Sequence, residues 1–520
     1  MTYEYDVTDP ESIERYAKKL IGKTFRDVYD EDMNSDNDGF RGRDLEKYRV
    51  QVSKGDMGNL LEEHYFHYKN NSDQRPDFDE AGTELKTTPY KKNKNGSLSA
   101  KERVPITMID YNKVVTETYD TSEIKCKTDI LLLVYYLQLE KMKRIDCPIE
   151  YVSLFCIPEA DRLQIINDYN KIIEKIKAGK AHELSEGDTL YLGACTKGKD
   201  SSDVRSQPFS PILAMRRAFC LKQSYMTNIL RNYIVPGVKT YKKKNQPSAE
   251  RIEYDALPDA LNVHETLKPK RKSDLEHIIN DLNVYRHSTL EGYITQKINA
   301  YRGRDIISLC KEFGIRPSCS TSGDPYKASQ EFFTSKQITA TVAYRILGIK
   351  GNKADEFVKA GIQVKSIRLE KNGHLEQSMS FPTFKFREIA AENWEDDEFA
   401  ETLRTTKFFF IVYRYDEKDV LRLKGCQFWN MPLETIETAV KDVWQLTHDV
   451  LNEGMQITVK NGKKYNNLPG MSYNHICHVR PHGKNSRDVD ILPDGRTYSK
   501  QCFWLNNTYI LSQIDDELKG

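Results

Sequence analysis

Gly58-Asn59-Leu60-Leu61-Glu62, followed by Asp77-Phe78-Asp79-Glu80-Ala81-Gly82-Thr83-Glu84-Leu85-Lys86, is the stretch on which the reading of this chain turns. Leu60 to Tyr68 reads as a helix, so Glu62 projects from a rigid element. Thr83 to Thr87 reads as a short strand, in which alternate residues share a face. Glu84 and Lys86 then point together into a cleft while Leu85 points into the core. Asp77 reaches the same place from the preceding turn. Further on, the eight apolar residues Ile130 to Leu137 suit a buried strand. The expected class is a mixed-sheet α/β fold.

At 520 residues the chain exceeds one ordinary domain, and two or three are expected. A mean hydropathy of -0.67 with 30% charged residues describes a water-soluble chain with enough apolar residues for cores. No apolar run approaches a membrane span, so no membrane partner is expected. The start is acidic (Glu4, Asp6, Asp9, Glu11) with no secretory leader, which makes a cytoplasmic location the expectation. Ten cysteines without a C-x-x-C pair argue against zinc ribbons and a disulfide framework. The net charge of +1 does not announce a nucleic-acid partner. A DNA-binding face must come from segregated lysines: Lys91, Lys92 and Lys94, Lys242 to Lys244, and Lys268 to Lys272.

The carboxylates and lysine suit one chemistry. Magnesium is a hard cation that keeps several waters, so one or two carboxylates hold it. The bound ion acidifies a water and stabilises charge on a phosphate. A neighbouring lysine can orient or deprotonate that water. Pro76 precedes Asp77, which completes the pattern of the PD-(D/E)xK nucleases. Its second half recurs at Glu123-Ile124-Lys125 and Asp416-Glu417-Lys418, so specificity lies in the longer string. GNLLE followed by DFDEAGTELKTTP resembles the active-site segment of the MutH-like family, which comprises the mismatch-repair endonuclease and the GATC-cutting type II restriction endonucleases.

The resemblance continues through Lys127 before the Ile130 run, Gly179 to Gly187, Thr196 to Lys199, Arg216 to Lys222, Tyr225-Met226-Thr227 and Leu230. It runs nearly end to end with the restriction enzymes and over the first half only with the repair enzyme. It implies Mg²⁺-dependent cleavage of both strands of DNA at GATC, before the guanine. Asp77 and Glu84 hold the metal, Glu62 helps organise it, Lys86 prepares the water and Lys127 supports the scissile phosphate. Lys197 and Lys222 are expected on phosphates, and Lys199 is expected to bind DNA. Arg217 is expected on a base, since an arginine can bond guanine O6 and N7 together. Double-stranded DNA is the expected partner, with two recognition sites, self-association on DNA and a separate cognate methyltransferase.

Laid against itself, the chain repeats at an offset of roughly 280 residues, right for two copies of a domain. Gly22-Lys23-Thr24-Phe25 answers Gly303-Arg304-Asp305-Ile306, and Ala81 to Lys86 answers Ala360 to Lys365. Leu131 to Tyr135 answers Phe409 to Tyr413, Gly198-Lys199 answers Gly483-Lys484, and Phe219 to Leu221 answers Phe503 to Leu505. In the second copy Gln363 replaces Glu84, Glu356 falls near Asp77, and Thr405 answers Lys127. That copy should bind without cutting, through Arg480, His482, Lys484 and Asn506. The expected boundaries are a catalytic domain over 1–235, a linker over 236–272 and a non-cutting effector domain over 273–520.

Two other patterns compete. Asn34 to Gly39 resembles the start of a calcium loop, but Leu45 stands at its twelfth position and Arg41 at its eighth. His475, Cys477, His478 and His482 invite zinc, yet no second ligand pair lies at a fitting distance, and DNA contact or packing is the better reading. The rival functions are a mismatch-repair nickase and a non-catalytic DNA-binding protein. The long second copy argues against the first, and the intact acids and lysine against the second.

Overall fold

The computed structural model describes residues 4–34, 56–68, 75–93, 96–139, 142–198, 202–242, 275–316, 332–395, 397–485 and 487–520. The calcium-like loop beyond Asn34, Lys94, Lys199, Lys243, Lys244, Lys268 to Lys272 and most of the linker segment lie outside them. The chain forms two compact units. One comprises Met1–Leu184, Thr189–Leu275 and Val358–Ala360, the other Ser185–Asp188, Glu276–Phe357 and Gly361–Gly520.

In the first unit, α1 (Pro10–Ala17) starts where Asp9 accepts from Glu11 N and Pro10 occupies the first turn, which needs no amide hydrogen. Thr24 and Asp27 form a capping box that starts α2 (Phe25–Met33). With α3 (Asp56–His64) these helices cover one face of a sheet ordered β2-β1-β4-β5. Its strands are β1 (Thr83–Lys92), β2 (Leu98–Ala100), β4 (Ile130–Leu137) and β5 (Ile149–Phe155); β3 (Val104–Met108) belongs elsewhere. β1 runs parallel to β4 with Glu84 opposite Leu131. The core on the helical face holds Ile13, Phe25, Leu60, Leu85, Leu132 and Val134. Between β3 and β4, α4 (Glu123–Thr128) ends beside the active-site strand.

The remaining elements form a second layer. α5 (Glu159–Lys177) precedes a sheet ordered β3-β9-β6, with β6 (Leu192–Thr196) and β9 (Arg217–Leu221). A hairpin of β7 (Val204–Gln207) and β8 (Ser210–Met215) joins them, and α6 (Gln223–Ile229) follows. Asp168 on α5 accepts from the backbone N–H groups of Leu190, Tyr191 and Leu192 at 3.0, 2.6 and 2.9 Å, which fixes the start of β6.

The second unit repeats this topology. α7 (Leu290–Asn299), α8 (Ile306–Glu312) and α9 (Lys336–Ile346) precede β10 (Gln363–Leu369) and β11 (Met379–Thr383). Next come α10 (Glu398–Thr405), β12 (Phe408–Tyr415), β13 (Leu421–Trp429) and α11 (Lys441–Glu453), then a hairpin of β14 (Ile457–Lys460) and β15 (Lys463–Asn466). The chain closes with β16 (Cys477–Pro481), β17 (Val489–Ile491), β18 (Thr497–Ser499), β19 (Gln501–Leu505) and α12 (Asn507–Ser512). β10 is parallel to β12, which is antiparallel to β13, as β1, β4 and β5 are related. The order β11-β19-β16 matches β3-β9-β6. Gly22, at φ 92°, donates to Ile149 O, and Gly303, at φ 84°, donates to Leu423 O, so each left-handed turn docks on the corresponding strand. Gln363 lies opposite Phe408, as Glu84 lies opposite Leu131. Leu131 therefore corresponds to Phe408, one residue before the match drawn from the apolar runs.

Candidate active site

Asp77, Glu84, Lys86 and Lys127 meet because the chain turns sharply between Asp77 and β1. Phe78 and Thr83 exchange backbone hydrogen bonds at 2.9 and 3.1 Å, with a short turn over Asp79–Ala81 between them. Gly82 closes that turn at φ 60°, where a side chain is disfavoured. The fold-back lays Asp77 over the strand. Its Oδ2 accepts from Leu85 N at 2.9 Å, and its own N–H donates to Glu84 Oε2 at 3.2 Å.

Glu84 is 1% exposed and fully engaged. Its Oε1 accepts from Lys86 Nζ at 2.5 Å and from Lys127 Nζ at 3.4 Å. Strand alternation puts Glu84 and Lys86 on one face and Leu85 in the core, as the sequence implies. Lys127 reaches the same oxygen from the end of α4. Glu62 stands on α3, within electrostatic reach of Asp77, Lys86 and Glu84.

The electrostatics follow from burial. Desolvation, then Asp77, pushes Glu62 up to about 7, with Lys86 acting against them. Desolvation also raises Asp77, aided by Glu84 and opposed by Lys86. At Lys86 burial pulls down, but Glu84 and Asp77 outweigh it and hold the ammonium above its ordinary range. In this state Lys86 is a cation bound to a carboxylate, not a base.

Tyr68 is a site residue that sequence reasoning missed. His67 adopts φ 56°, and Tyr68 N donates to Glu62 O at 3.0 Å, so the end of α3 wraps Tyr68 back over the acids. Burial, then Asp77 and Glu62, raises its phenol well above the ordinary value. Its hydroxyl is buried without a hydrogen-bond partner among the described residues. The motif carries no signal for it, since Tyr68 reads as the last turn of an apolar helix.

Among the described residues, no three His, Cys, Asp or Glu side chains converge at metal-ligand spacing. The lysines hold Glu84, and the Leu85 amide holds Asp77. A hard cation needs only one or two carboxylates. Asp77 and Glu84 provide them side by side, and the orphaned Tyr68 hydroxyl leaves a polar atom for an added ligand or its water. The residues fit Mg²⁺.

The two competing triplets are not clefts. Glu123 is taken by Lys113 at 2.6 Å and Thr107 at 2.7 Å, and Lys125 pairs with Asp129 at 2.8 Å. Asp416 accepts from Arg422 at 2.8 Å and Val420 N at 2.9 Å.

The residues expected on DNA divide in two. Lys197, directly after β6, is exposed beside exposed Arg216, its N–H donating to Arg216 O at 2.9 Å. Arg217 is 2% exposed and its Nη1 donates to Ala194 O at 2.6 Å. Lys222 is equally buried and donates to Thr189 O at 3.0 Å. In the second unit Arg480 lies over the Trp504 ring at 4.3 Å, and exposed His482 meets the same ring edge-on. Lys484 is exposed. Asn506 is buried, donating to Met471 O and bonded to the buried His478. Burial pulls His478 below its ordinary value, and with Cys477 also buried that cluster packs rather than ligates.

Comparison with known proteins agrees with this geometry. Residues 66–168 match the family model for the DNA mismatch repair enzyme MutH. The chain is also 33% identical over 512 residues to the type II restriction enzyme Sau3AI of Staphylococcus aureus, covering 90% of this chain and 94% of that protein. Among the described residues no helix is long and apolar enough to cross a membrane.

Proposed function

The chain belongs to the MutH-like family of type II restriction endonucleases, which are site-specific deoxyribonucleases, and from that premise we propose that it cuts both strands of GATC before the guanine, using Mg²⁺. The observation that supports this most is the joining of Asp77, Glu84, Lys86 and Lys127 through one carboxylate in the first unit. When bound, the metal acidifies a water and offsets charge on the phosphate. Asp77 and Glu84 would hold it, and Glu62 would add charge when ionised. Lys86, whose ammonium lies 2.5 Å from Glu84 Oε1, would be placed to orient the attacking water, or to deprotonate it after giving up its own proton. Lys127 remains to support the scissile phosphate. Lys197 and Arg216 are the exposed cations that meet the DNA backbone, whereas the base-reading role expected of Arg217 has against it a guanidinium buried on Ala194 O.

The second copy acts as a DNA-binding effector. Gln363 brings no charge where Glu84 does. Both oxygens of Glu356 accept from the Ile278 backbone at 3.0 Å, and one of them also accepts from Ile279, so it is spent on structure. A linker over 236–272 separates a catalytic domain (1–235) from this copy (273–520). A separate methyltransferase protects the host's sites, and the enzyme engages two sites through self-association or its second copy. Pure protein incubated with plasmid and Mg²⁺ tests the reading. Linear fragments ending at GATC are expected; nicked circles indicate a repair nickase, and intact plasmid a non-catalytic binder.

A further inference from the structure

The second unit's counterpart of the active-site cleft has reversed its charge. β10 stands where β1 stands, Lys365 holds the place of Lys86, and the acids around it are gone. Beside β10 lies a cavity of about 270 Å³, lined by Lys336, Lys365, Arg368, Gln377, Ser378 and Ser380 among others. Lys336 opens α9, which is tied to the strand: the Ser366 hydroxyl donates to Lys336 O at 3.4 Å and Arg368 donates to Thr334 O at 2.7 Å. Glu370 and Glu376 border the same cavity. Even so, among the described residues no carboxylate lies within ion-pair distance of Lys336 or Lys365. Burial lowers the pKa of both amines, assisted by Arg368 at Lys336 and by Lys336 at Lys365. Lys365 is half-buried and Lys336 is exposed, and a cation drawn partly out of water without a counter-charge is unfavourable until an anion completes it. The serines and the glutamine add neutral donors of the kind that hold phosphate oxygens.

We propose that this cavity binds a phosphoryl group directly, with Lys336 and Lys365 in place of a metal: either a phosphodiester of DNA crossing the second unit or a free phosphate. The DNA source rests on the effector reading above; the free-phosphate source does not.

The test uses the full-length chain carrying Glu84→Gln, in EDTA, with and without the pair Lys336→Gln and Lys365→Gln. Duplex binding by anisotropy over a salt series is expected to weaken about tenfold in the paired variant. The slope of log K against log salt should become shallower by about one to two, roughly one for each phosphate no longer neutralised. Inorganic phosphate should raise the melting temperature of the parent and not of the paired variant. Lys336→Arg with Lys365→Arg, which keeps the charge, should retain both responses and so separates a lost site from a damaged fold. If the paired variant matches its parent in affinity, salt slope and phosphate response, the cavity is no phosphoryl site. In that event, weakened binding in Arg480→Ala with Lys484→Ala leaves the effector reading standing without it. If phosphate stabilises the parent alone while no second-unit substitution weakens the duplex, the site takes free phosphate and the effector reading falls.

Discussion

Glu84 is the residue on which the first unit's cleft depends, because one carboxylate joins both lysines and the Asp77 amide. Glu84→Gln keeps the shape and removes the charge, repeating the change already present at Gln363. Cleavage should fall roughly a thousandfold, since several kcal/mol of metal-supplied stabilisation are lost, while duplex binding persists. A plasmid assay beside an anisotropy titration checks this, and wild-type cutting by the variant removes the assignment. Glu62 makes a second prediction, about pH. Its folded value of about 7 lies above the ordinary 4.5, so between them the folded chain holds a proton that the unfolded chain does not. The group's contribution to stability is therefore full below the lower value and is lost as pH rises through the upper one. Metal takes the ionised form. The gain in melting temperature from saturating Mg²⁺ should be larger at about pH 8 than at about pH 6, and Glu62→Gln should flatten that difference. Equal gains at both values would falsify Glu62 as a participant.

At the scale of elements, the acids and lysine were legible because a strand sorts alternate residues by face, and Lys127 through the family resemblance ahead of the Ile130 run, although it stands on α4 and not at the strand itself. The helix carrying Glu62 was legible too, although it spans Asp56–His64 and starts before Leu60. Tyr68 was not, since it enters through a left-handed His67 that no local pattern announces. Arg217 and Lys222 illustrate the opposite limit. Their charge suggested a surface, but β9 is buried along its length, and both side chains satisfy backbone carbonyls inside the protein. Asp168 shows how such an element is held in place. It is fully buried, and burial raises its pKa despite three backbone N–H donors and the Gln164 amide. Asp168→Ala leaves three amides without acceptors at the start of β6. It should destabilise the unit by about 3 kcal/mol or more in urea unfolding, with Asp168→Asn milder because one oxygen still accepts. Loss of the anchor should also loosen Lys197, which directly follows β6. Unchanged stability in Asp168→Ala would make this cluster incidental.

For the whole molecule, the repeated strand order and the paired glycine turns give two units one plan, and of the two corresponding lysines Lys86 is ion-paired with a strand carboxylate where the second unit has Gln363. Double-strand cleavage by one active centre requires either two visits or two molecules. An effector copy that binds DNA provides a route to the second, because DNA bound at one unit can shift the other between idle and competent states. The coupling expected of such a switch is about 1–3 kcal/mol, or roughly a five- to hundredfold change in rate. Full-length enzyme should therefore cut a plasmid with two sites faster than one with a single site. A short cognate duplex added in trans should restore the slow reaction, since it supplies the second unit with DNA without tethering. The paired Lys336→Gln and Lys365→Gln variant should lose that response while retaining slow one-site cutting if the phosphoryl cavity is the effector contact. Equal rates on the two plasmids, with no response to added duplex, would leave the second unit as a scaffold and place the whole reaction on encounters between first units.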